Sequence, residues 1–400
     1  MRIEFSPFSN AHCQLIRSSV IRVTINRWRF VLKAVLSYGA ATDRFDHKGD
    51  ICNPMIDRLI HHVDTAYRWL CQQRKHFPAN SDVWDLRFHW DQIRPDLIAQ
   101  LRGNRYLFSP LQQVIKQDGE YIHLWASQDS IVLKALTLVL ADLLPASRLC
   151  THLKGHGGAK QTVNTIYQEL SGNAFVFRTD VKSYYQSINH ERLLDRLEKH
   201  IDDKIVINLL GQYLKRSVDK GGVFLTHRQG ISSGCPLSPL IGSFFLYELD
   251  QAMEQQPLFY RRYMDDIIVL APTRWKLRKA IRSVSQVFER LGLEQHPDKT
   301  FIGRIEKGFD FLGYQFGEGK LTVSARTHQN HIRRYTRLYE QKLRQRSSRE
   351  DVLACLERYR RRWIQWAFAG LPPSTLHVDL LHDLQGFTMN SALQSQPQKT

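Results

Sequence analysis

The stretch Phe259-Tyr-Arg-Arg-Tyr-Met-Asp-Asp-Ile-Ile-Val-Leu270 sets two adjacent carboxylates, Asp265 and Asp266, between two runs of strand-forming residues. Aromatic residues precede the pair and β-branched ones follow it, which predicts a hairpin of two apolar strands with the acids at its tip. Neighbouring carboxylates repel one another there and serve no packing purpose. A divalent cation resolves the repulsion, and hard carboxylate oxygens suit Mg²⁺.

Upstream, Ala174 to Thr179 reads as a short strand running into Asp180, followed by Val181-Lys-Ser-Tyr-Tyr185. If that strand pairs beside the hairpin, three carboxylates converge. In-line phosphoryl transfer between nucleotides uses two metal ions about 4 Å apart, one at the attacking oxygen and one at the leaving group. The alternative, Asp180 as a helix cap, fits poorly because the next helix starts near Asn189. Between these segments lies Gly230-Ile-Ser-Ser-Gly-Cys-Pro-Leu-Ser-Pro-Leu240, a turn that exposes backbone donors at a helix start.

The order of elements follows from periodicity. Helices are predicted at His190 to His200, Lys204 to Leu214, Pro239 to Met253 and Thr273 to Leu291, with strands at Phe301 to Ile305 and Phe309 to Phe316. Strand, helix, strand-turn-strand, helix, strand makes a split βαβ layer, hence an α+β fold. Before it, Tyr106-Leu-Phe108, Val114-Ile115 and Tyr121 to Trp125 suggest strands, with Asp118-Gly119 as a turn, and Ser130 to Leu144 is a buried helix. The glycine-rich Lys154 to Gly158 leads into a helix from Ala159 to Leu170, without Walker spacing. Residues 1–85 read as a basic helical arm and the polar end after Asn390 as a tail.

Over the whole chain, 56 Lys and Arg stand against 39 Asp and Glu, a net charge of +17 that points to a polyanionic partner. No run of about 18 apolar residues offers a membrane span, and Met1 to Ile16 lacks the pattern of an export signal, so a cytoplasmic setting is expected. The six cysteines form no CxxC pair, which argues against a zinc site built on paired cysteines. From Arg326 to Arg362, 12 basic residues face 4 acidic ones, and Tyr359, Trp363 and Trp366 recur at helical spacing. One side of such a helix packs, while Arg358, Arg360, Arg361 and Arg362 can follow a phosphate backbone.

From about Val83 to Trp366 these blocks resemble the group II intron-like reverse transcriptases of bacteria, in the family's order. Asp180 to His190 is similar to the first metal block, with Asp180 as the first carboxylate and Tyr185 as the aromatic that excludes a ribose 2′-hydroxyl. Of Tyr184 and Tyr185, one is expected in the core. Leu237-Ser-Pro-Leu240 resembles the block that contacts template and nucleotide, and Tyr263 to Asp266 the second metal block. Pro297-Asp-Lys299-Thr places Lys299 near the triphosphate, and Phe311, Leu312, Gly313 and Tyr314 resemble the primer grip. Two departures stand out: Ile122 takes the place of the family's triphosphate-gripping Arg, and Ser232-Ser233-Gly234 replaces Pro-Gln-Gly. Lys116, Lys134, Arg178 and Lys182 are the substitutes for nucleotide grip, with Ser233 and Gly234 in the turn.

The resemblance implies a right-hand polymerase: a helical extension at 1–85, fingers at 86–172, palm at 173–320, thumb at 321–372 and a tail at 373–400. It implies RNA-templated extension of a DNA or RNA primer with deoxynucleoside triphosphates. The cofactor is two Mg²⁺ ions, with Mn²⁺ as a substitute, held by Asp180, the Val181 carbonyl, Asp265 and Asp266. A cognate structured RNA is a further expected partner, and no membrane is. With no zinc-dependent endonuclease read after the thumb, a free-standing bacterial enzyme is expected, in phage defence or descended from a retroelement. The alternatives are an RNA-binding splicing protein of the maturase type, and a polymerase that makes RNA or needs no template.

Overall fold

A computed structural model describes residues 54–115, 121–317 and 319–372, and over these the chain is α+β with mainly antiparallel sheets. Most of the expected arm, all of the 373–400 tail, Lys116 and the Asp118-Gly119 turn lie outside the described residues. In chain order the strands are β1 (Leu111–Ile115), β2 (Tyr121–Leu124), β3 (Phe175–Thr179), β4 (Ser217–Lys220), β5 (Val223–Thr226), β6 (Phe259–Tyr263), β7 (Asp266–Ala271), β8 (Phe301–Arg304), β9 (Phe309–Phe311), β10 (Tyr314–Gly317) and β11 (Lys320–Val323). No described helix is long and apolar enough to cross a membrane.

The chain folds as two compact units. The first holds the described residues up to Leu143 together with Leu194–Arg228 and Ser232–Leu237. Its centre is the helix Ser127–Leu143, apolar all round and so buried on most sides, with Ile131, Leu133, Leu136 and Leu140 inaccessible. Helices Pro54–His61 and Val63–Gln73 pack on it. The sheet order is β2-β1-β4-β5, with β1 and β4 parallel and the other pairs antiparallel. The β4–β5 hairpin was not anticipated, although Gly221-Gly222 followed by Val223-Phe-Leu is a hairpin signal; both glycines take positive φ, 67° and 97°. Conversely, Tyr106 to Phe108 is no strand. Its main chain is claimed by side chains: Phe108 N–H donates to Gln212 Oε1 (3.1 Å), Gln212 Nε2 donates to the Tyr106 carbonyl (3.1 Å), and Ser109 N–H donates to Asp129 (3.0 Å).

The second unit holds Leu144–Leu193, Gln229–Ile231 and the described residues from Ser238 onward. Its main sheet is fully antiparallel in the order β6-β7-β3-β8. Every β7 residue after Asp266 is buried, as the apolar run requires of a strand covered on both faces. The helix Arg274–Leu291 lies on β7 and β3 through Leu277, Ala280, Val284, Val287 and Phe288; Thr273 caps its start and Gly292 (φ 69°) its end.

Two predicted elements break. The helix expected over Pro239 to Met253 is two, Ser238–Phe245 and Tyr247–Glu254. Tyr184 OH donates to the Gly242 carbonyl and Arg262 Nη2 to the Ser243 carbonyl (3.3 Å), the carbonyls that an unbroken helix would pair with Leu246 and Tyr247. The strand expected over Phe309 to Phe316 folds back at Leu312-Gly313, and β9, β10 and β11 make a separate sheet. Beyond it, helices Ala325–Arg344 and Arg349–Phe368 pair along an aromatic seam in which His331 stacks on Trp363 at 4.0 Å and on Tyr359 at 5.3 Å.

Candidate active site

Strand register brings the acids together. The β3–β7 ladder pairs Thr179 with Ile267, so the next step of the register sets Asp180 beside Asp266. The β6–β7 hairpin closes at Tyr263–Asp266, leaving Met264 and Asp265 as the two corner residues. Met264 takes φ 60°, a left-handed conformation that strains a residue with a Cβ by about 1 kcal/mol or more. Asp265 thereby lies close enough to Asp180 for their charges to act on one another.

The electrostatics of the cluster are those of charges crowded out of water. Burial, then Asp180 and Asp266, raise the Asp265 pKa to about 7. Burial and Asp180 raise Asp266 to about 6, against the opposing pull of Lys299 and Arg178. Lys299 donates its ammonium to Asp180 Oδ2, and that bond raises the lysine's own pKa. No three His, Cys, Asp or Glu side chains among the described residues stand together at coordinating distances. The three aspartate side chains offer only carboxylate oxygens, and Lys299 is the cation paired with Asp180. Carboxylate oxygens are the donor type that Mg²⁺ takes.

The Val181 backbone is also placed usefully. Lys182 N–H donates to the Glu294 carbonyl (2.9 Å) and His296 N–H to the Asp180 carbonyl (2.8 Å). In this pairing the bonds come from the residues flanking Val181, so its own carbonyl faces the opposite side of the chain, the side of β7.

Other expected site residues take varied positions. Tyr184 is the core tyrosine, and Tyr185 is half-buried with its OH 3.9 Å from Met264 Sδ. A Cβ on Gly242 would stand 3.1 Å from the Tyr185 ring, so the glycine lets that ring approach the helix closely. Among the expected triphosphate grips, Lys182 pairs with Glu294 (3.0 Å), Arg178 with Asp310 (2.6 Å), and Lys134 lies over the Trp69 ring. Ser233 and Gly234 form an exposed turn of the first unit. In the expected primer grip, Phe311 and Tyr314 are core residues, which leaves the Leu312-Gly313 turn as the accessible part. Arg358, Arg361 and Arg362 are exposed, whereas Arg360 is engaged by Glu357 (2.9 Å).

Sequence reasoning passed over the ion pair under the hairpin. Arg262 and Asp250 are both 0% exposed and bonded through two nitrogens, with Nε to Oδ1 at 2.8 Å; Tyr260 OH adds a third bond to Asp250 (2.8 Å). The alternation of β6 was the signal, since it puts Arg262 on the same face as the buried Tyr260, and an arginine is buried there only with a partner.

The family model described as reverse transcriptase (RNA-dependent DNA polymerase) matches residues 116–316. Protein YkfC of Escherichia coli (strain K12) is 22% identical over 232 residues, covering 48% of this chain and 61% of that protein. The group II intron-encoded protein LtrA of Lactococcus lactis subsp. cremoris is 23% identical over 212 residues, covering 52% of this chain and 33% of LtrA. A chain of a solved partial Cas6-RT-Cas1–Cas2 complex aligns at 18% identity with a TM-score of 0.38, over 63% of this chain and 45% of that one. Each of these matches spans less than two thirds of the relative's length.

Proposed function

The chain belongs to the reverse transcriptase (RNA-dependent DNA polymerase) family, and from that premise we propose that it extends a primer 3′-end with deoxynucleoside triphosphates on an RNA template. The observation that carries the reading is the meeting of Asp180, Asp265 and Asp266 at one end of the β6-β7-β3 layer, where burial and then mutual charge raise the Asp265 and Asp266 pKa values.

Asp180, Asp265, Asp266 and the Val181 carbonyl would hold two Mg²⁺ ions. When bound, these supply activation of the primer 3′-oxygen and neutralisation of the leaving pyrophosphate. The residues themselves do the positioning. Buried strands hold the carboxylates before substrate arrives, which removes the need to reorganise at the moment of reaction. Lys299, whose ammonium donates to Asp180 Oδ2, would be the cation on hand for the triphosphate. Tyr185, its ring backed by Gly242, forms a floor against which a 2′-hydroxyl would clash. In this reading β3 and β6–β8 belong to the palm, and the paired helices Ala325–Arg344 and Arg349–Phe368 to a thumb whose exposed arginines follow the duplex backbone.

Extension of a DNA primer annealed to RNA tests the proposal. Wild-type protein should incorporate deoxynucleotides only with Mg²⁺ or Mn²⁺, and Asp265→Asn should abolish incorporation. Tyr185→Ala should admit ribonucleotides. Equal extension by Asp265→Asn, or extension that ignores the template, would refute it.

A further inference from the structure

The hairpin corner that carries Asp265 is held by a residue far away in sequence. The loop after Leu144 runs beside β6: Arg262 N–H donates to the Leu149 carbonyl (2.9 Å), and Thr151 N–H donates back to the Arg262 carbonyl (2.8 Å). The next residue, His152, therefore arrives at the hairpin tip. Its Nδ1 lies 3.1 Å from the Met264 nitrogen and its Nε2 lies 3.1 Å from the Pro239 carbonyl oxygen.

One tautomer satisfies both contacts. A carbonyl only accepts, so Nε2 carries the proton and donates to Pro239; Nδ1 is then unprotonated and accepts the Met264 N–H. From the other side Arg262 Nη1 donates to the Met264 carbonyl (2.7 Å), its guanidinium fixed in turn by Asp250. Met264 thus has both main-chain polar groups bound by side chains while it sits at φ 60°. The first bond fixes the peptide before Met264 and the second the peptide after it, and the latter carries Asp265.

We propose that His152 is a positioning residue for the reaction: by accepting the Met264 N–H it locks the left-handed corner and so aims Asp265 at Asp180. This rests on the polymerase reading above. The glycines at 155, 157 and 158, all at positive φ, shape the loop that delivers this ring. His156 braces the loop by taking its Nδ1 to the Ser147 and Cys150 carbonyls (3.1 and 3.0 Å).

The test compares three variants. His152→Asn keeps an acceptor near the Nδ1 position. His152→Gln carries its amide near Nε2 and has no acceptor at Nδ1, and His152→Leu removes both. On an RNA-templated DNA primer, kcat should fall about 10²-fold in the Leu and Gln variants, the scale of a misplaced catalytic group. KM for primer–template should be unchanged, and the Asn variant should keep most of the wild-type kcat. Amide hydrogen exchange across 259–270, a readout that needs no activity, should speed up at Met264 in the Leu and Gln variants and stay slow in Asn. Wild-type kcat with a slow Met264 amide in His152→Leu would overturn the proposal. So would Asn and Gln variants that lose thermal stability and kcat alike. Should the wild-type protein extend no primer, the polymerase reading fails, and the exchange pattern still decides whether His152 holds the corner.

Discussion

Two hairpin tips of the second unit reverse the chain through left-handed residues, by different means. At β6–β7 the left-handed residue is Met264 (φ 60°), and the bend is gripped by polar side chains on both of its peptides. At β9–β10 the residues are Leu312 (φ 48°) and Gly313 (φ 87°), and the bend lies against Thr327 and the Trp366 ring. Behind the second tip, Tyr314 OH donates to the carbonyls of Trp366 (3.1 Å) and Ala367 (2.9 Å), while the Lys160 ammonium lies 3.5 Å from the Trp366 ring centroid. The first tip presents charge and is held on both Met264 peptides by side chains; the second lies against a helix, and its Gly313 carbonyl is taken by a main-chain donor, Ser324 N–H (3.0 Å).

Breaking the polar grip should have the largest effect on stability. Asp250→Ala leaves Arg262 buried without its carboxylate, a loss of about 3–5 kcal/mol. Urea unfolding checks this, and a loss under about 1 kcal/mol would show that the ion pair contributes little. Next comes the packed tip. Gly313→Ala builds a Cβ 3.1 Å from Thr327 Oγ1 and 3.2 Å from Trp366 at positive φ. It should cost about 1–3 kcal/mol in thermal unfolding while leaving the Met264 amide protected. Tyr314→Phe removes only hydroxyl bonds. It should cost about 1 kcal/mol, seen as faster amide exchange in the last turn of Arg349–Phe368.

The smallest effect is a pH dependence at the charged tip. Asp265 and Asp266 have folded pKa values raised to about 7 and about 6. Protonation therefore favours the cation-free fold, and their contribution to stability is present below the ordinary carboxylate range and lost as pH rises through 6 to 7. A divalent cation binds the deprotonated form, so its stabilisation runs the opposite way. The rise in Tm on adding Mg²⁺ should be larger at pH 8 than at pH 6. A rise that shrinks with pH would show that the cation binds elsewhere.

The sequence made the first of these tips legible, but neither its support nor the second tip. Asp-Asp between apolar runs, and a strand ending in Asp180, are local patterns; the pairing of the two strands, only a condition in the sequence, is met by the β3–β7 ladder. The Leu312-Gly313 bend was missed because the apolar residues on either side continue a strand pattern through it. The break at Leu246 was invisible for a different reason. It depends on Tyr184 and Arg262 reaching carbonyls 58 and 19 residues away, and no window on the helix contains them. His152 escaped in the same way, since only the docking of its loop on β6 brings it to Met264. Residues that titrate or ligate announce themselves by type, whereas residues that hold them are known only once the chain is folded.

The most direct measurement is an anomalous-scattering map of crystals containing Mn²⁺, an RNA–DNA primer–template and an incoming deoxynucleotide. Two peaks bounded by Asp180, Asp265 and Asp266, with Lys299 moved off Asp180, are the expected result. Peaks away from these carboxylates, or Asp180 still bound to Lys299 and bare of metal, would contradict a shared two-metal site.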